Sequence, residues 1–343
     1  MQSAPKIAVI ILNWNAKKLL ERFLPGVVKY TNYPDVDIVV ADNGSTDDSV
    51  EFVKENFPTV KIIAFKENYG YAKGNHVALI ETSCEYALFL NNDVEVTPGW
   101  LDPLRKVLDE NKNVVAVQPK ILSLNEPEKF EYAGACGGYI DRFGYPFCRG
   151  RILDMVEKDN GQYDTPQEVF WCSGAAFLVR REKYFGAGGF DPYFFAHMEE
   201  IDLCWRLGQC GGVLMVEPKS VVYHLGGGTL PMNHPNKLKL NYRNNILMHY
   251  KNLTGIKFYS FMFIRIFMDL ASFMVFCCKR EIHNAKALIQ AYREFYRMRG
   301  LYSSARELCG NKQKRKVPRY NGWIIWDFYV RKIVSYSELT RKL

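Results

Sequence analysis

The stretch FLNNDVEVTPGW, residues 89–100, decides the fold, because an apolar run ends there abruptly in polar side chains. The letters YALFL lead directly into Asn91, Asn92 and Asp93, after which Val94 resumes the apolar pattern. Polar groups at the end of a buried strand are unfavourable unless a partner satisfies them. A carboxylate there can hold a divalent cation beside a diphosphate. A tight turn, in which Asn and Asp bond to their own backbone, is the structural alternative.

Strand-like and helix-like segments alternate around this stretch through the first half of the chain. KIAVIILNW and VDIVVADNGS are continuous apolar runs, typical of strands buried on both faces, and AKKLLERFLPGVVKY between them has helical spacing. VKIIAFKEN, GNHVALIETS and EYALFLNND repeat the rhythm. The pattern predicts an α/β fold, with an open, mostly parallel sheet and helices on both faces.

Polar side chains follow the ends of several predicted strands. Four of them lie just past such an end: Asn13, Asp42, Asn68 and Asp93. In open α/β sheets, ligands bind outside the carboxyl ends of the strands. We therefore expect a ligand site along one rim of the sheet.

Two turns near this rim have both a binding and a structural interpretation. Asp42 can accept the N3–H of a pyrimidine, or it can belong only to the turn before a helix, where Ser45 and Asp48 have the spacing of a capping box. ENYGYAKGN, residues 67–75, places two glycines and Lys73 before a helix. Such a turn can cradle phosphate, and an ordinary strand–helix turn explains it equally.

The segment HMEEIDLCWR, residues 197–206, concentrates carboxylates. Glu199, Glu200 and Asp202 lie within four positions, and Asp202 can pair with Arg206 one helical turn later. Crowded like charges raise a pKa, as a general base requires. A solvated acidic helix start is the alternative, but the surrounding aromatic residues favour burial and function.

His224 and the cysteines bear on metal binding. His224 follows an apolar strand in VVYHLGGG, where a neutral imidazole can be a metal ligand or a purely structural residue. The nine cysteines are scattered without a CxxC pair, which argues against zinc and disulfide frameworks. The amino terminus runs from a polar start into a strand-like segment, unlike a signal peptide. We expect a reduced, cytoplasmic setting.

Charge and periodicity change towards the carboxyl terminus. From Lys251 onward there are 19 Lys/Arg against 6 Asp/Glu, so the preceding residues carry about −5 of the total of +8. After about residue 235 the chain has a helical pattern. We expect a catalytic α/β domain over residues 1–235 and a helical, basic region over residues 236–343 that meets an anionic partner.

The segment FYSFMFIRIFMDLASFMVFCC, residues 258–278, reaches the length needed to span a bilayer. Arg265 and Asp269 each cost about 2.5 to 3.5 kcal/mol at a bilayer centre, and with Ser272 they form one narrow helical stripe. A helix lying in the membrane interface, with this stripe turned toward protein or water, fits better than a span.

Basic residues flank this segment at 279–280 and 312–319, where they would meet anionic lipid head groups. A soluble helical bundle or a homodimer interface is the alternative explanation of the apolar helix. Nucleic-acid binding explains the basic residues less well. The prediction is a protein peripheral to an anionic membrane surface, without nucleic acid as a partner.

Together, in this order, these segments closely resemble the GT-A glycosyltransferases of the large inverting family that includes bacterial rhamnosyltransferases. The shared pattern runs from VIILNWN through ADNGSTDDS, ENYGYAKGN and FLNNDVEV to GGFDPYFFAHMEEIDLCWRL and VYHLGGG, over about residues 5–230. The resemblance implies a Rossmann-like GT-A fold and transfer of a sugar, first rhamnose from a dTDP- or UDP-sugar, to a lipid-linked or oligosaccharide acceptor. It also implies Mg²⁺ or Mn²⁺ as cofactor, and cell-envelope polysaccharide synthesis at the cytoplasmic face of a bacterial inner membrane.

The resemblance also assigns roles to individual residues. Asp93 matches the last residue of the metal-binding Asp-x-Asp signature, and His224 matches a histidine that completes the metal site. Glu199 and Glu200 match a Glu-Asp pair whose second residue is the usual base, so either glutamate can be the base here, with Glu200 expected. The expected nucleotide-sugar contacts are Asn13, Asn15, Asp42, Asn68, Lys73, Asn92 and Asp93. The expected acceptor contacts are Asp202 and Trp171, which lies in VFWCSGAAFLV and can equally be a core residue.

Three other classes of protein remain as alternatives. A processive polysaccharide synthase would need several spanning helices and a QxxRW pattern, and neither is evident. A sugar nucleotidyltransferase would carry a glycine-rich signature after the first strand, where LNWNAKK has no glycine. A catalytically silent nucleotide-sugar-binding protein could lose the base, whereas this chain retains the carboxylates.

Overall fold

The computed structural model describes residues 6–226, 235–302, 315 and 317–341. The strands of these residues form one nine-stranded sheet and one four-stranded sheet. In chain order they are β1 (Ile7–Asn13), β2 (Val36–Asp42), β3 (Lys61–Ala64), β4 (Tyr86–Asn91), β5 (Val94–Val96), β6 (Val114–Ser123), β7 (Gly138–Ile140), β8 (Pro146–Cys148), β9 (Arg151–Ile152), β10 (Met155–Val156), β11 (Gln167–Glu168), β12 (Ala176–Arg180) and β13 (Val213–His224).

Helices surround the large sheet and make up most of the region after it. They are α1 (Lys17–Tyr30), α2 (Ser49–Asn56), α3 (Gly70–Ile80), α4 (Leu101–Glu110), α5 (Arg181–Gly186), α6 (Glu199–Gln209), α7 (Pro235–Asn252), α8 (Gly255–Cys278) and α9 (Ile282–Met298). Two short helices, Ile324–Tyr329 and Tyr336–Arg341, lie near the carboxyl terminus.

The order of strands in the large sheet brings the carboxyl ends of β1, β2, β4 and β13 to one rim. β3, β2, β1 and β4 run parallel in that order, and β12 lies antiparallel beside β4. β6 is antiparallel to β12 and parallel to β13, so both point the same way as β4. The predicted α/β fold with a mostly parallel core is confirmed, and β12 is the internal reversal that sequence patterning did not reveal.

The side chains of β1 enter two hydrophobic clusters, one on each face of the sheet. Ile7, Val9 and Ile11 pack with residues of α1 and α4, whereas Ala8 and Ile10 pack with residues of α3 and α6. Because strand side chains alternate between faces, a continuous apolar run requires cover on both sides. Helices therefore lie on both faces, as predicted.

The helical region packs on the sheet domain through a shared hydrophobic cluster and buried polar contacts. Asn245 donates to the carbonyl of Gly144 at 3.0 Å, and Lys251 donates to Asp202 at 2.7 Å. Ile246 of α7 belongs to the same cluster as the α3 and α6 residues. The sequence pattern changes at residue 235, but side chains from both sides of this point share one core. A domain boundary at residue 235 therefore stays a prediction.

The second predicted basic flank, residues 312–319, is only partly described. Lys312, Lys314 and Lys316 lie outside the described residues. Arg315 pairs with Glu168 at 2.6 Å, and the buried Arg319 guanidinium lies 4.0 Å from the centre of the Trp205 ring. Both arginines are engaged with the protein, and their contact with lipid head groups stays a prediction.

Candidate active site

Asn13 connects three strand ends at the rim of the large sheet. Its side-chain nitrogen donates to Oδ1 of Asp42 at 3.3 Å, and its oxygen accepts from Asn92 at 3.1 Å. The second oxygen of Asp42 accepts the backbone N–H of Ser45 at 2.9 Å. The structure thus brings together the polar residues predicted to follow β1, β2 and β4.

Asn15 holds the loop between β2 and α2 against this rim. Its φ is 48°, a left-handed conformation that asparagine tolerates better than most residues. Its N–H donates to the Ser45 hydroxyl at 2.9 Å, and its side-chain oxygen accepts the N–H of Thr46 at 2.7 Å. The predicted capping box is wrong, because α2 begins at Ser49 and Asp48 makes no side-chain cap bond.

The turn ENYGYAKGN lies next to the same loop. The Asn68 side-chain oxygen accepts from Asn43 at 3.0 Å and from the N–H of Gly70 at 2.8 Å, so it shapes the turn. Gly70 has a φ of +74°, and a Cβ there would lie 2.5 Å from the Phe195 ring. The Lys73 ammonium lies 3.8 Å from the centre of the Tyr69 ring. Ligand roles for Asn68 and Lys73 remain predictions.

Asp93 and His224 meet at the rim and share a third partner. Nε2 of His224 lies 3.0 Å from Oδ1 of Asp93, and Nδ1 lies 3.3 Å from Oε1 of Glu131. Burial lowers the pKa of this imidazole, but the bonds to Asp93 and Glu131 outweigh burial and raise the pKa to about 10. The protonated imidazole therefore pairs with two buried carboxylates, and it must release a proton before a ring nitrogen can bind a metal ion.

These residues fit a cation site that a substrate completes. Among the residues whose placement is described, no group of three or more His, Cys, Asp or Glu side chains forms a ready metal cage. Mg²⁺ is often bound by one or two carboxylates together with substrate phosphates, and an imidazole is a ligand for softer divalent ions such as Mn²⁺. Asp93 and His224 supply one ligand of each type. The residue types predicted for the metal site therefore suit a divalent ion bound with a diphosphate.

Glu199 and Glu200 begin α6 after a loop with an unusual backbone. Phe195, His197 and Met198 have φ values of 64°, 71° and 69°. Non-glycine residues in this region are strained, and such strain persists where the surrounding structure fixes it, often at functional sites. The N–H of Ala72 donates to the carbonyl of Phe195 at 3.0 Å, and Asn244 donates to the carbonyl of His197 at 2.8 Å.

The two glutamates have unusual proton affinities. Burial, together with the charge of Glu200, raises the pKa of Glu199 well above its usual value. Burial raises the pKa of Glu200 to about 7. Among the described residues, the Oε2 atom of each carboxylate is enclosed and accepts no hydrogen bond. A carboxylate in such a position can take a proton near neutral pH.

Tyr71 connects the acidic pair with the metal candidates. Its hydroxyl donates to the carbonyl of Gly174 at 2.6 Å. Burial raises the pKa of its phenol, and the charges of Glu199, Glu200 and Asp93 raise it further, so all three carboxylates lie within electrostatic range of this hydroxyl. That the acidic pair and Asp93 line one cleft stays a prediction.

Sequence reasoning missed Glu131 and Tyr71. Glu131 lies in the irregular segment between β6 and β7, where no periodicity points to a neighbour. Tyr71 lies in the predicted phosphate turn, but its spacing from the glycines carries no separate signal. Both were detectable only from contacts between distant parts of the chain.

The structure contradicts both predicted acceptor contacts. Asp202 is completely buried and accepts from Arg206, Lys251 and Asn252, so its carboxylate is saturated by the protein. Trp171 is also buried, and its indole N–H donates to the carbonyl of Tyr139 at 3.0 Å. Neither side chain offers a free face to an acceptor sugar.

Comparison with known sequences identifies relatives of this chain. Residues 8–185, just over half of the chain, match the profile described as glycosyl transferase family 2. The N-acetylglucosaminyl-diphospho-decaprenol L-rhamnosyltransferase of Mycobacterium tuberculosis is 27% identical over 236 residues, which cover 64% of this chain and 75% of that protein. The O-antigen biosynthesis protein RfbC of Myxococcus xanthus is 27% identical over 215 residues, covering 62% of this chain and 16% of that protein.

Two solved structures share the architecture. GalNAc-T7 with UDP, GalNAc and Mn²⁺ superposes with a TM-score of 0.57 at 18% identity, over 76% of this chain and 50% of that chain. This chain therefore matches only half the length of GalNAc-T7. The mannosyltransferase PcManGT from Pyrobaculum calidifontis, with GDP-Man and Mn²⁺, superposes with a TM-score of 0.51 at 14% identity, over 91% of this chain and 85% of that chain. At these identities the likeness shows the fold alone.

The fold, the rim and the profile match agree with one another. The predicted GT-A architecture and the predicted enzyme class are confirmed. The chain belongs to glycosyl transferase family 2 and is a glycosyltransferase with a GT-A fold.

Proposed function

We propose that this glycosyltransferase moves a sugar from a nucleoside-diphosphate sugar to a lipid-linked glycan acceptor, with inversion at the anomeric carbon. dTDP-rhamnose is the first donor to test, and UDP-sugars come next. The M. tuberculosis relative is named for transfer of L-rhamnose to N-acetylglucosaminyl-diphospho-decaprenol, and the two solved neighbours hold UDP or GDP-Man with Mn²⁺. The proposed setting is bacterial cell-envelope polysaccharide synthesis at the cytoplasmic face of the inner membrane.

The observation that carries this proposal is the state of Glu200. Its side chain is half-buried, its Oε2 is enclosed without a hydrogen bond among the described residues, and its pKa is about 7. A general base works best when its pKa lies near the operating pH. Glu199 is buried, whereas Glu200 is only half-buried and is the more accessible of the two carboxylates to an acceptor. We therefore assign the base to Glu200.

The reaction follows from these positions as a single displacement. Glu200 accepts the proton of the acceptor hydroxyl, and the acceptor oxygen forms a bond to the anomeric carbon from the face opposite the diphosphate. The bond between that carbon and the diphosphate oxygen breaks, and the electron pair leaves with the diphosphate. No general acid is needed, because the nucleoside diphosphate is a stable anion.

The rim residues position the donor for this displacement. We assign Asn13, Asn15 and Asp42 to the nucleoside end and Lys73 to the diphosphate, with Asn68 and Asn92 supporting the turns. A divalent ion held by Asp93 and His224 would neutralise charge that develops on the departing diphosphate. Glu131 would orient the imidazole through Nδ1, as carboxylates commonly do for metal-binding histidines.

A donor panel tests the proposal directly. The protein is mixed with dTDP-rhamnose, UDP-glucose, UDP-N-acetylglucosamine or GDP-mannose, each with Mg²⁺, Mn²⁺ or EDTA. Thermal shift measures binding, and release of nucleoside diphosphate measures turnover. We expect a metal-dependent shift and slow release with dTDP-rhamnose or a UDP-sugar. Absence of both signals with dTDP-rhamnose and with both UDP-sugars would contradict the proposed donors.

The membrane contact of the proposal rests on α8, which is 24 residues long and apolar enough to cross a membrane by length and composition. Arg265 and Asp269 pair at 2.8 Å and face the protein interior. On the opposite side Phe263, Phe267 and Met274 are 66%, 60% and 61% exposed. An exposed apolar face of this kind suits the interface of a bilayer.

Vesicle sedimentation tests this contact. The protein is mixed with neutral phosphatidylcholine vesicles or with vesicles that also contain phosphatidylglycerol, and with duplex DNA as a control polyanion. We expect binding to the anionic vesicles and loss of binding in the double variant Phe263→Ser/Phe267→Ser. A wild-type protein that stays in the supernatant with both kinds of vesicle would contradict the contact.

A further inference from the structure

An open apolar groove lies between α8 and α9. Its volume is about 740 Å³. Most of its wall is hydrocarbon, supplied by residues such as Ile266, Leu270, Phe273, Leu288 and Ile289. A groove of this size falls in the range of sites that enclose small molecules.

Two arginines line the same groove one helical turn apart. Arg293 and Arg297 both extend from α9, and within the described ranges no carboxylate pairs with either guanidinium. Asp269 is the acidic residue of the lining, and its charge is neutralised by Arg265 at 2.8 Å. The Tyr292 hydroxyl also donates to Asp269 at 2.7 Å. The groove is therefore apolar with a net positive charge.

The groove continues onto the exposed apolar face of α8. Ile266 and Leu270 line the groove and are also 43% and 53% exposed. Phe263 and Phe267 lie on the same helix and are more exposed still. A hydrocarbon chain that leaves a bilayer at this face can therefore enter the groove without crossing a polar surface.

Buried contacts connect the groove with the carboxylate base. Glu294, which follows Arg293 in α9, accepts from Arg243 of α7 at 2.8 Å. Arg243 in turn donates to the carbonyl of Phe194 at 3.1 Å, in the loop that leads into Glu199. The groove and the start of α6 thus belong to one packed unit.

We propose that this groove binds the lipid part of the acceptor: an isoprenoid chain along the apolar wall, with its phosphate at Arg293 and Arg297. We favour this occupant because two guanidinium groups beside an apolar wall match a phosphate group attached to a long hydrocarbon chain. A second copy of the chain suits the groove less well, because an interface over this groove would bury guanidinium groups that no carboxylate of the described residues neutralises. This inference rests on the proposed function, since it assumes a lipid-linked acceptor.

Photocrosslinking with geranylgeranyl phosphate carrying a diazirine tests the inference. The full chain is irradiated with this probe, in competition with unlabelled geranylgeranyl phosphate, geranylgeraniol or inorganic phosphate, and labelled peptides are mapped by mass spectrometry. We expect labels on α8 and α9, strong competition by the lipid phosphate, weaker competition by the alcohol and none by inorganic phosphate. Equal competition by the alcohol would exclude the phosphate contact, and labels outside both helices would exclude the groove.

Charge-matched variants distinguish binding of the probe in the groove from its general attraction to a basic surface. Arg293→Gln/Arg297→Gln removes the two lining charges, and Lys257→Gln/Lys286→Gln removes two exposed charges that do not line the groove. We expect about tenfold weaker probe binding for the first variant and less than about twofold for the second. Equal losses in both variants, or a stable dimer that excludes the probe, would overturn the inference.

Failure of this inference is distinguishable from failure of the proposed function. Metal-dependent donor binding depends on the sheet rim and is measured in the same protein without any lipid. Donor binding without groove labelling would overturn the groove alone, and groove labelling without donor binding would overturn the transfer reaction.

Discussion

The carboxylates of α6 face two different environments. Glu200, at the beginning of the helix, has an oxygen without a hydrogen-bond partner in the described structure, and burial raises its pKa to about 7. Asp202 is buried as well, but Arg206 and Lys251 outweigh burial and lower its pKa. Burial alone therefore does not make a carboxylate catalytic. The absence or presence of a cation separates a candidate base from a structural ion pair.

The largest expected effect is on turnover, in Glu200→Gln. The amide keeps the size of the side chain but cannot accept the acceptor proton, so we expect turnover to fall about 10²- to 10⁴-fold with donor binding retained. Turnover is measured as nucleoside diphosphate release at saturating donor and acceptor. Glu199→Gln is the matched variant and should stay within about tenfold of wild type, because the proposed proton transfer does not use this more deeply buried carboxyl. A larger loss in Glu199→Gln than in Glu200→Gln would reverse the assignment.

The next effect is on stability, in Asp202→Asn. Removing this charge takes the carboxylate partner at 2.7 Å from the largely buried Arg206, and it leaves the buried Lys251 with Asp191 alone of its two carboxylates. Breaking a buried pair costs about 3 to 5 kcal/mol. Chemical denaturation measures the free energy of unfolding. Asp48→Asn is the control, because Asp48 forms only an exposed pair with Lys17 and should change stability by less than about 1 kcal/mol. Similar losses in the two variants would contradict the structural role of Asp202.

A smaller effect is expected on donor affinity, in Asp93→Ala. This change removes the acidic ligand proposed for the metal ion, so metal-dependent donor binding should weaken about 10²-fold or be lost. Calorimetry with Mn²⁺ and with EDTA measures the metal-dependent part. Glu95→Ala, two residues further along and exposed on β5, should bind as wild type. If donor binding by Asp93→Ala depended on Mn²⁺ as it does in the wild type, a metal site at Asp93 would be contradicted.

The smallest expected effect is a pH dependence. The pKa of Glu200 is raised, so the carboxylate is available as a base above about pH 7 and is lost as the pH falls. We expect kcat/KM to fall about tenfold for each pH unit below 7 and to level off above it. The residual kcat/KM of Glu200→Gln should not show this fall below pH 7. A wild-type profile that stays level down to pH 5 would show that no group with this pKa serves as the base.

The rim was predictable because strand periodicity determines where each strand ends. The run before Asn91 and the run before Asp42 both read as buried strands, and parallel packing then brings their ends together. The inward stripe of α8 was predictable for a similar reason, since Arg265 and Asp269 have helical spacing. Local spacing was sufficient in these cases.

Contacts between distant residues were not predictable from one sequence. Asp202 was assigned to the acceptor because its partner Lys251 lies on α7, 49 positions away. Glu131 was missed because it reaches His224 from an irregular segment. The sequence left open whether Trp171 contacts a sugar or lies in the core. Its burial against Gly138 shows that it lies in the core.

The anomeric configuration of the product tests the central claim most directly. Direct attack on the donor, with Glu200 as base, places the new bond on the face opposite the departing diphosphate. NMR coupling constants of the purified product should therefore report the configuration opposite to that of the donor sugar. A product with the donor's own configuration would contradict the single displacement and, with it, the role assigned to Glu200.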